Sequence, residues 1–107
     1  MYDVITIGSA TVDCFVDTGD ELFHGKQGHF HIPFGAKIKV RDLFFDTGGC
    51  GTNTAVAFAR LGFKTAWIGK MGKDQHAKWV MDTLHHEKVD TRYARVEKGR
   101  TAFSVIL

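Results

Sequence analysis

The chain alternates strand and helix patterns twice, and this order restricts its fold more than any other feature. The β-branched run Val4–Ile7 ends at a glycine and predicts a buried strand. A helical pattern begins near Thr52, an apolar strand follows at 64–71, and a second helix starts after Asp74. Strand, helix, strand and helix in this order predict a parallel sheet with right-handed crossovers. We therefore expect an α/β fold.

Both helices carry end signals. Gly62 fits the left-handed position just past the first helix, where a Cβ would be penalised. Phe58 and Phe63 then form the apolar pair that often closes such an end. Asp74 is suited to cap the N-terminus of the second helix. The core-facing stripe of that helix recurs at helical spacing and consists of Ala77, Val80, Met81 and Leu84.

Three further segments alternate apolar and polar residues, which does not suit strands buried inside a parallel sheet. They lie within 12–17, 37–46 and 92–107. The last segment contains the turn 97–100 between two strand patterns and predicts a hairpin. We expect a second, smaller antiparallel sheet with one exposed face. Residues 18–35 are interpreted as a long loop or an irregular hairpin.

Composition and charge exclude several classes of protein. The 107 residues are 44% hydrophobic and 24% charged, as in one small globular domain. The net charge is +2 and like charges do not cluster, so neither nucleic acid nor a membrane surface is an expected partner. No signal peptide and no apolar run of about 20 residues is recognised. With only two cysteines, a reducing, cytoplasmic location is expected.

A glycine-rich segment, DTGGCGTN at 46–53, leads into the first helix. A phosphate-binding P-loop needs lysine and then serine or threonine after its last glycine, but Thr52 and Asn53 stand there. A dinucleotide-binding loop needs a third glycine where Thr54 stands, and an acidic residue where Lys70 ends the next strand. The segment therefore matches neither pattern well.

A small polyol suits this segment better. A carboxylate accepts hydrogen bonds from two adjacent hydroxyls, an amide both donates and accepts, and glycines let backbone N–H groups approach a ring. Asp13 and the run Gly49–Asn53 both follow predicted strands, at the edge where open α/β sheets bind ligands. We expect a carboxylate, glycine amides and the Asn53 amide to converge on one ligand.

Simpler roles stay open for these residues. Asp13 alone is equally typical of a strand end, and Asn53 of a helix N-cap. Cys50 is either a small loop residue or a thiol activated by the helix N-terminus. His29 and His31 share one side of a segment near His24, but a metal site needs a third ligand and a defined geometry, so we expect a solvated loop and no metal site.

Three segments together resemble the N-terminal signature of the ribokinase-like carbohydrate kinases, the PfkB family. They are GSATVD at 8–13, GGCGTNTAVAFARLG at 48–62 and GKMGKD at 69–74, and their order and spacing match over essentially the whole chain. The resemblance implies a ribokinase-like parallel sheet flanked by helices, incomplete here, with a small β-sheet lid that closes over the sugar. The chain stops within a predicted strand, so we expect the N-terminal part of a longer kinase domain.

The resemblance also implies roles for particular residues. Phe103, on the last predicted strand, is a further candidate for the pocket wall. Cys50 stands where ribokinases often have lysine, which leaves the identity of the sugar open. The family positions that bind the sugar correspond to Asp13, Gly48, Gly49, Cys50, Gly51 and Asn53.

In this family the catalytic aspartate and the ATP site belong to the C-terminal half. The resemblance therefore implies no catalytic, cofactor-binding or metal-binding residue within 1–107, and no activity of this part alone. The full-length protein is expected to use ATP and Mg²⁺ to phosphorylate a sugar or nucleoside, and to form a homodimer through the lid. The alternative is a non-catalytic module: a sugar-binding or lid-dimerising fragment, or a pseudokinase.

Overall fold

The computed structural model describes residues 1–19, 29 and 31–107. His24 and most of the loop expected at 18–35 therefore lie outside the described residues. In the described part the chain forms, in order, β1 (Val4–Ile7), β2 (Thr11–Asp17), β3 (Asp42–Gly48), α1 (Cys50–Arg60), β4 (Thr65–Ile68), β5 (Lys70–Gly72), α2 (Gln75–His86), β6 (Arg95–Glu97) and β7 (Ala102–Ile106).

The strands form three sheets, and the predicted α/β fold is confirmed. β1 pairs with β4 and β5 pairs with β6, both in parallel. The remaining sheet has the order β3–β2–β7, and we call it the mixed sheet. β2 runs antiparallel to β3 but parallel to β7. The second sheet is therefore mixed, whereas the alternating patterns predicted an antiparallel one.

The hairpin predicted within 92–107 is wrong, because β6 and β7 belong to different sheets. The chain between them is anchored by the Asp74 carboxylate, which accepts from the Thr101 N–H at 2.8 Å and from the Thr101 hydroxyl at 2.7 Å. Arg100 packs so closely on Gly72 that a Cβ there would lie 2.3 Å from its carbonyl carbon. These contacts lead the chain from one sheet into the next.

The third strand starts later than the alternation at 37–41 predicts. Asp17, the last residue of β2, pairs with Asp42. The Arg41 N–H still donates to the Asp17 carbonyl at 2.6 Å, but the structure assigns residues 37–41 to no strand. The strand predicted at 64–71 is divided at Gly69, where a Cβ would lie 2.0 Å from the Trp67 ring. The missing side chain leaves room for the indole, which is fully buried.

The core lies between the helices and the sheets. α2 buries Ala77, Val80 and Leu84, with Met81 packed against them, so the predicted stripe is confirmed. Val12 and Trp67 complete its centre, each with no exposed surface. No helix in the described ranges is long and apolar enough to cross a membrane.

The predicted helix ends are confirmed. Gly62 has φ +93°, and the Phe63 N–H donates to the Phe58 carbonyl at 3.1 Å. The rings of Phe58 and Phe63 meet edge to face, with centroids 5.8 Å apart. Asp74 accepts from the Ala77 N–H at 2.9 Å as the N-cap of α2. Short-range signals of this kind depend only on neighbouring residues.

Replacing Asp74 with asparagine is expected to destabilise the protein and flatten its acid unfolding. Hydrogen bonds from the Ala77 N–H, then from Thr101, lower the pKa of Asp74 from 3.8 to about 2. A carboxylate with a lowered pKa stabilises the fold above its unfolded pKa, and this contribution is lost as the pH falls from about 4 through about 2. Thermal unfolding of the full-length protein across this range measures the effect.

Asp82→Asn is the matched control, because Asp82 is an exposed carboxylate on the same helix. We expect a lower melting temperature at pH 7 for Asp74→Asn, by about 2–4 °C, and little change for Asp82→Asn. Equal pH profiles for the Asp74 variant and the wild type would show that this carboxylate does not contribute to acid stability.

Candidate functional site

Asp13 lies within β2, between one residue of each neighbouring strand. Its partners in register are Asp46 on β3 and Ser104 on β7. The half-buried carboxylate accepts a hydrogen bond from the Ser104 hydroxyl, with 2.5 Å between Oγ and Oδ1. The Thr11 hydroxyl donates to the same oxygen at 3.4 Å. One carboxylate oxygen thus has two hydroxyl donors from the protein.

The other oxygen of Asp13 lies over Gly48. A Cβ placed on Gly48 would come within 2.5 Å of Asp13 Oδ2. The oxygen can occupy this position only because residue 48 has no side chain. Gly48 pairs with Thr11, which makes it the diagonal cross-strand neighbour of Asp13. The structure therefore brings together Asp13 and the first glycine of the loop.

The next two glycines pack their backbone against the turn between β1 and β2. Gly49 is the N-cap of α1 with φ +107°, and a Cβ on it would lie 2.4 Å from the Ser9 carbonyl oxygen. A Cβ on Gly51 would lie 2.5 Å from the carbonyl carbon of Gly8. Two backbone segments meet here without side chains between them, which fixes the start of α1 beside β2.

This close approach uses backbone donors that the sequence analysis assigned to a ligand. The N–H groups of Gly51 and Thr52 donate to the Ser9 carbonyl at 3.2 and 3.3 Å. The Thr52 hydroxyl donates to the Gly48 carbonyl at 2.7 Å. The first turn of α1 is therefore bonded to its own protein at these positions, and the carboxylate of Asp13 becomes the more prominent candidate for binding a ligand.

Cys50 is the first residue of α1, and its thiol is exposed. The Sγ atom lies 3.3 Å from the Ser9 hydroxyl. The hydrogen bond with this hydroxyl, followed by one with the Ser9 backbone, lowers the pKa of the Cys50 thiol. A small, polarisable side chain is therefore held at the mouth of the glycine loop.

Asn53 is not the helix N-cap, because Gly49 occupies that position, three residues before the helix start expected near Thr52. Its side chain is exposed in the second half of the first turn. It lines a groove of about 310 Å³ between α1 and α2, together with Thr47 and Arg60. Asp13 does not line this groove.

Phe103 lies on the opposite face of the mixed sheet from Asp13. It pairs with Val12, whereas its neighbour Ser104 pairs with Asp13, and successive residues of a strand face opposite sides. The Phe103 ring stacks on His76, with centroids 4.9 Å apart and planes 8° apart. The structure therefore does not bring Phe103 to the carboxylate, and its expected place in the same pocket wall is not supported.

Sequence reasoning missed Ser104 and Thr11. Each carries a hydroxyl bonded to Asp13. Ser104 is 91 residues away along the chain, and only the parallel pairing of β2 with β7 makes it a neighbour. Thr11 lies two residues before Asp13 on the same strand, and side chains two apart on a strand share one face. This alternation was the signal in the sequence that could have identified Thr11.

An open cleft of about 520 Å³ lies between β3 and α2, and its walls include Phe45 and Trp79, with ring centroids 5.5 Å apart. Asp13 is not part of its wall. Among residues 1–19, 29 and 31–107, no group of three or more His, Cys, Asp or Glu side chains is placed to hold a metal ion.

Comparison with known proteins gives the family. The profile of the pfkB family carbohydrate kinases matches residues 1–107. A 5-dehydro-2-deoxygluconokinase of Bacillus velezensis is 38% identical over 102 residues, which is 94% of this chain and 27% of the relative. A fructokinase of Klebsiella pneumoniae is 35% identical over 60 residues, which is 56% of this chain and 20% of the relative. The chain thus spans about a quarter or less of these relatives.

Solved structures agree with this match. Ribokinase of Arabidopsis thaliana, complexed with ribose and ATP, superposes with a TM-score of 0.81 at 25% identity, over 97% of this chain and 31% of that one. Fructokinase of Vibrio cholerae O395 superposes with a TM-score of 0.72 at 27% identity, over 98% and 29%. The ribokinase-like fold predicted from the three signature segments is confirmed. The chain belongs to the pfkB family of carbohydrate kinases.

Proposed function

We propose that the full-length protein is an ATP-dependent carbohydrate or nucleoside kinase and that residues 1–107 form its substrate-binding part. The observation that carries this proposal is the Asp13 carboxylate, held by hydroxyls at one oxygen and lying over Gly48 with the other. A carboxylate oxygen beside bare backbone suits adjacent hydroxyls of a sugar, which need short acceptors and close approach.

The reaction joins a substrate hydroxyl oxygen to the γ-phosphorus of ATP, and ADP leaves. Transfer of this kind depends mainly on positioning and on electrostatic stabilisation. The part described here orients the acceptor: Asp13 fixes the sugar hydroxyls, and Gly48, Gly49 and Gly51 let the ring approach the backbone. We assign Cys50 and Asn53 to the same substrate surface, at the mouth of the loop and on the first turn of α1. The mixed sheet acts as the lid.

ATP and Mg²⁺ do not fit the described residues. The glycine loop lacks the lysine of a P-loop, and the Gly51 and Thr52 amides already donate to Ser9. The described residues also offer no cluster of three metal ligands. We therefore assign the nucleotide, the metal and the catalytic base to the rest of the full-length protein. The similar ribokinase, solved with ribose and ATP, supports ATP as the nucleotide, and residues 1–107 alone are expected to be inactive.

A homodimer through the lid is part of the proposal. One face of the mixed sheet exposes apolar side chains, with Phe44 at 58% and Ile106 at 40% of their accessible surface. Surfaces of this kind mark interaction sites. The same surface favours the alternative, a non-catalytic module that binds sugar or dimerises. A cytoplasmic location is proposed with the kinase.

The test is release of ADP by the full-length protein, with ATP and Mg²⁺, against a panel of pentoses, hexoses, sugar acids and nucleosides. Turnover of one class of acceptor supports the kinase and names its substrate class. A folded full-length protein that neither binds ATP nor turns over any acceptor would make the non-catalytic module the better account.

A further inference from the structure

We propose that Ser104 is a positioning residue that orients the Asp13 carboxylate for the substrate. The inference rests on the proposed function and deepens it, because it assigns part of sugar recognition to a side chain on a different strand. Its basis is the contact between the Ser104 hydroxyl and Asp13 Oδ1, at 2.5 Å. Hydrogen bonds from a hydroxyl to a carboxylate at this distance are among the strong ones.

The two oxygens of Asp13 have different surroundings. Oδ1 accepts from Ser104 and, at 3.4 Å, from Thr11. Oδ2 lies over Gly48, where no side chain intervenes. A carboxylate has about four acceptor sites, two on each oxygen. Because the protein hydroxyls use Oδ1, the two acceptor sites of Oδ2 are left for a pair of adjacent substrate hydroxyls.

Without Ser104, the two oxygens of Asp13 would no longer be divided between the protein and the substrate. The carboxylate of an aspartate rotates broadly about its last torsion. Thr11 alone would hold Oδ1 only through the longer contact of 3.4 Å. A rotating carboxylate must be ordered when the substrate binds, and that ordering weakens affinity. The Ser104 hydroxyl removes this cost by fixing the group beforehand.

Ser104 is not one member of a general polar surface on β7. Ala102 and Ile106 share its face of the strand and are both apolar. The hydroxyl is therefore placed singly, opposite the one residue of β2 that carries the proposed sugar contact. Ser104 reaches Asp13 because β7 pairs with β2 in the mixed sheet. Substrate recognition therefore depends on the assembly of that sheet.

The test compares Ser104→Ala with Ser104→Thr in the full-length protein. The alanine variant is expected to raise KM for the acceptor about tenfold, with kcat and KM for ATP little changed, because a hydrogen bond to a charged acceptor is lost. The threonine variant keeps the hydroxyl and is expected to restore most of the affinity. Isothermal titration of the acceptor into each variant gives the same comparison without turnover.

Val105→Ala is the matched control, since Val105 is the next residue of β7 and faces the other side of the sheet. It weakens the strand without touching Asp13. If Ser104→Ala and Val105→Ala lower the melting temperature alike and leave KM for the acceptor unchanged, Ser104 is only structural and the inference is wrong. If the wild type turns over acceptor but threonine does not restore affinity, the inference is also wrong while the proposed function stands. If the folded wild type neither binds ATP nor turns over any acceptor, both are wrong.

Discussion

Asp13→Ala is expected to lower kcat/KM for the acceptor at least about a hundredfold in the full-length protein, with KM for ATP little changed. The variant would remove both hydrogen bonds proposed from the substrate to Oδ2, and a hydrogen bond to a charged group contributes more than one to a neutral group. It also leaves the hydroxyls of Ser104 and Thr11 without their shared acceptor. Steady-state kinetics with the acceptor found in the panel measure the loss.

Asp17→Asn provides the control for this variant. Asp17 lies four residues further along β2, on the same face, and forms an exposed ion pair with Arg41 at 2.6 Å. Exposed pairs contribute little to stability, so activity should stay near that of the wild type. Asp13→Asn keeps the shape but not the charge, and should lie between alanine and wild type. Full activity of Asp13→Ala would remove Asp13 from the substrate site.

Local signals in the sequence predicted the elements that depend on neighbouring residues. The end of α1 needed only Gly62 and the pair Phe58 and Phe63, all within six residues. The start of α2 needed only Asp74 and the N–H of Ala77. The position of Asp13 ahead of the glycine loop was recognisable for a similar reason, since motif order and spacing are written directly in the sequence.

Strand pairing was less accessible. The pattern around residues 97–100 resembles a hairpin turn, but the buried Thr101 bonds to Asp74 and diverts the chain to another sheet. A local pattern cannot reveal a contact 27 residues away. Ser104 was missed for the same reason, and the face of the sheet on which Phe103 lies depends likewise on the pairing of β7 with β2.

The start of α1 illustrates a third limit of prediction from the sequence. Sequence reasoning expects free N–H groups at the first turn of a helix. Here the Ser9 carbonyl accepts two of them, because Gly8 and Gly51 let the two backbones meet. The glycines therefore serve the packing of the loop as well as the proposed approach of a ligand. Substitutions can separate these two effects from the cost of a left-handed backbone.

Gly51→Ala is expected to destabilise the full-length protein by about 3 kcal/mol, near the upper end for overpacking. The added Cβ would lie 2.5 Å from the Gly8 carbonyl carbon and 2.7 Å from its Cα, and backbone atoms cannot rotate away. The expected response is a displacement of α1 from the β1–β2 turn, which would carry Gly48 and Gly49 with it. Affinity for the acceptor should therefore fall together with stability.

Gly62→Ala separates conformational strain from this clash. Gly62 has φ +93°, but a Cβ on it would meet nothing within 4 Å. We expect a loss of about 1 kcal/mol from the left-handed backbone alone, with unchanged affinity for the acceptor. Urea unfolding and acceptor titration of both variants test the difference. If Gly51→Ala is as mild as Gly62→Ala and binds acceptor normally, close backbone packing of Gly8 on Gly51 does not hold the substrate loop in place.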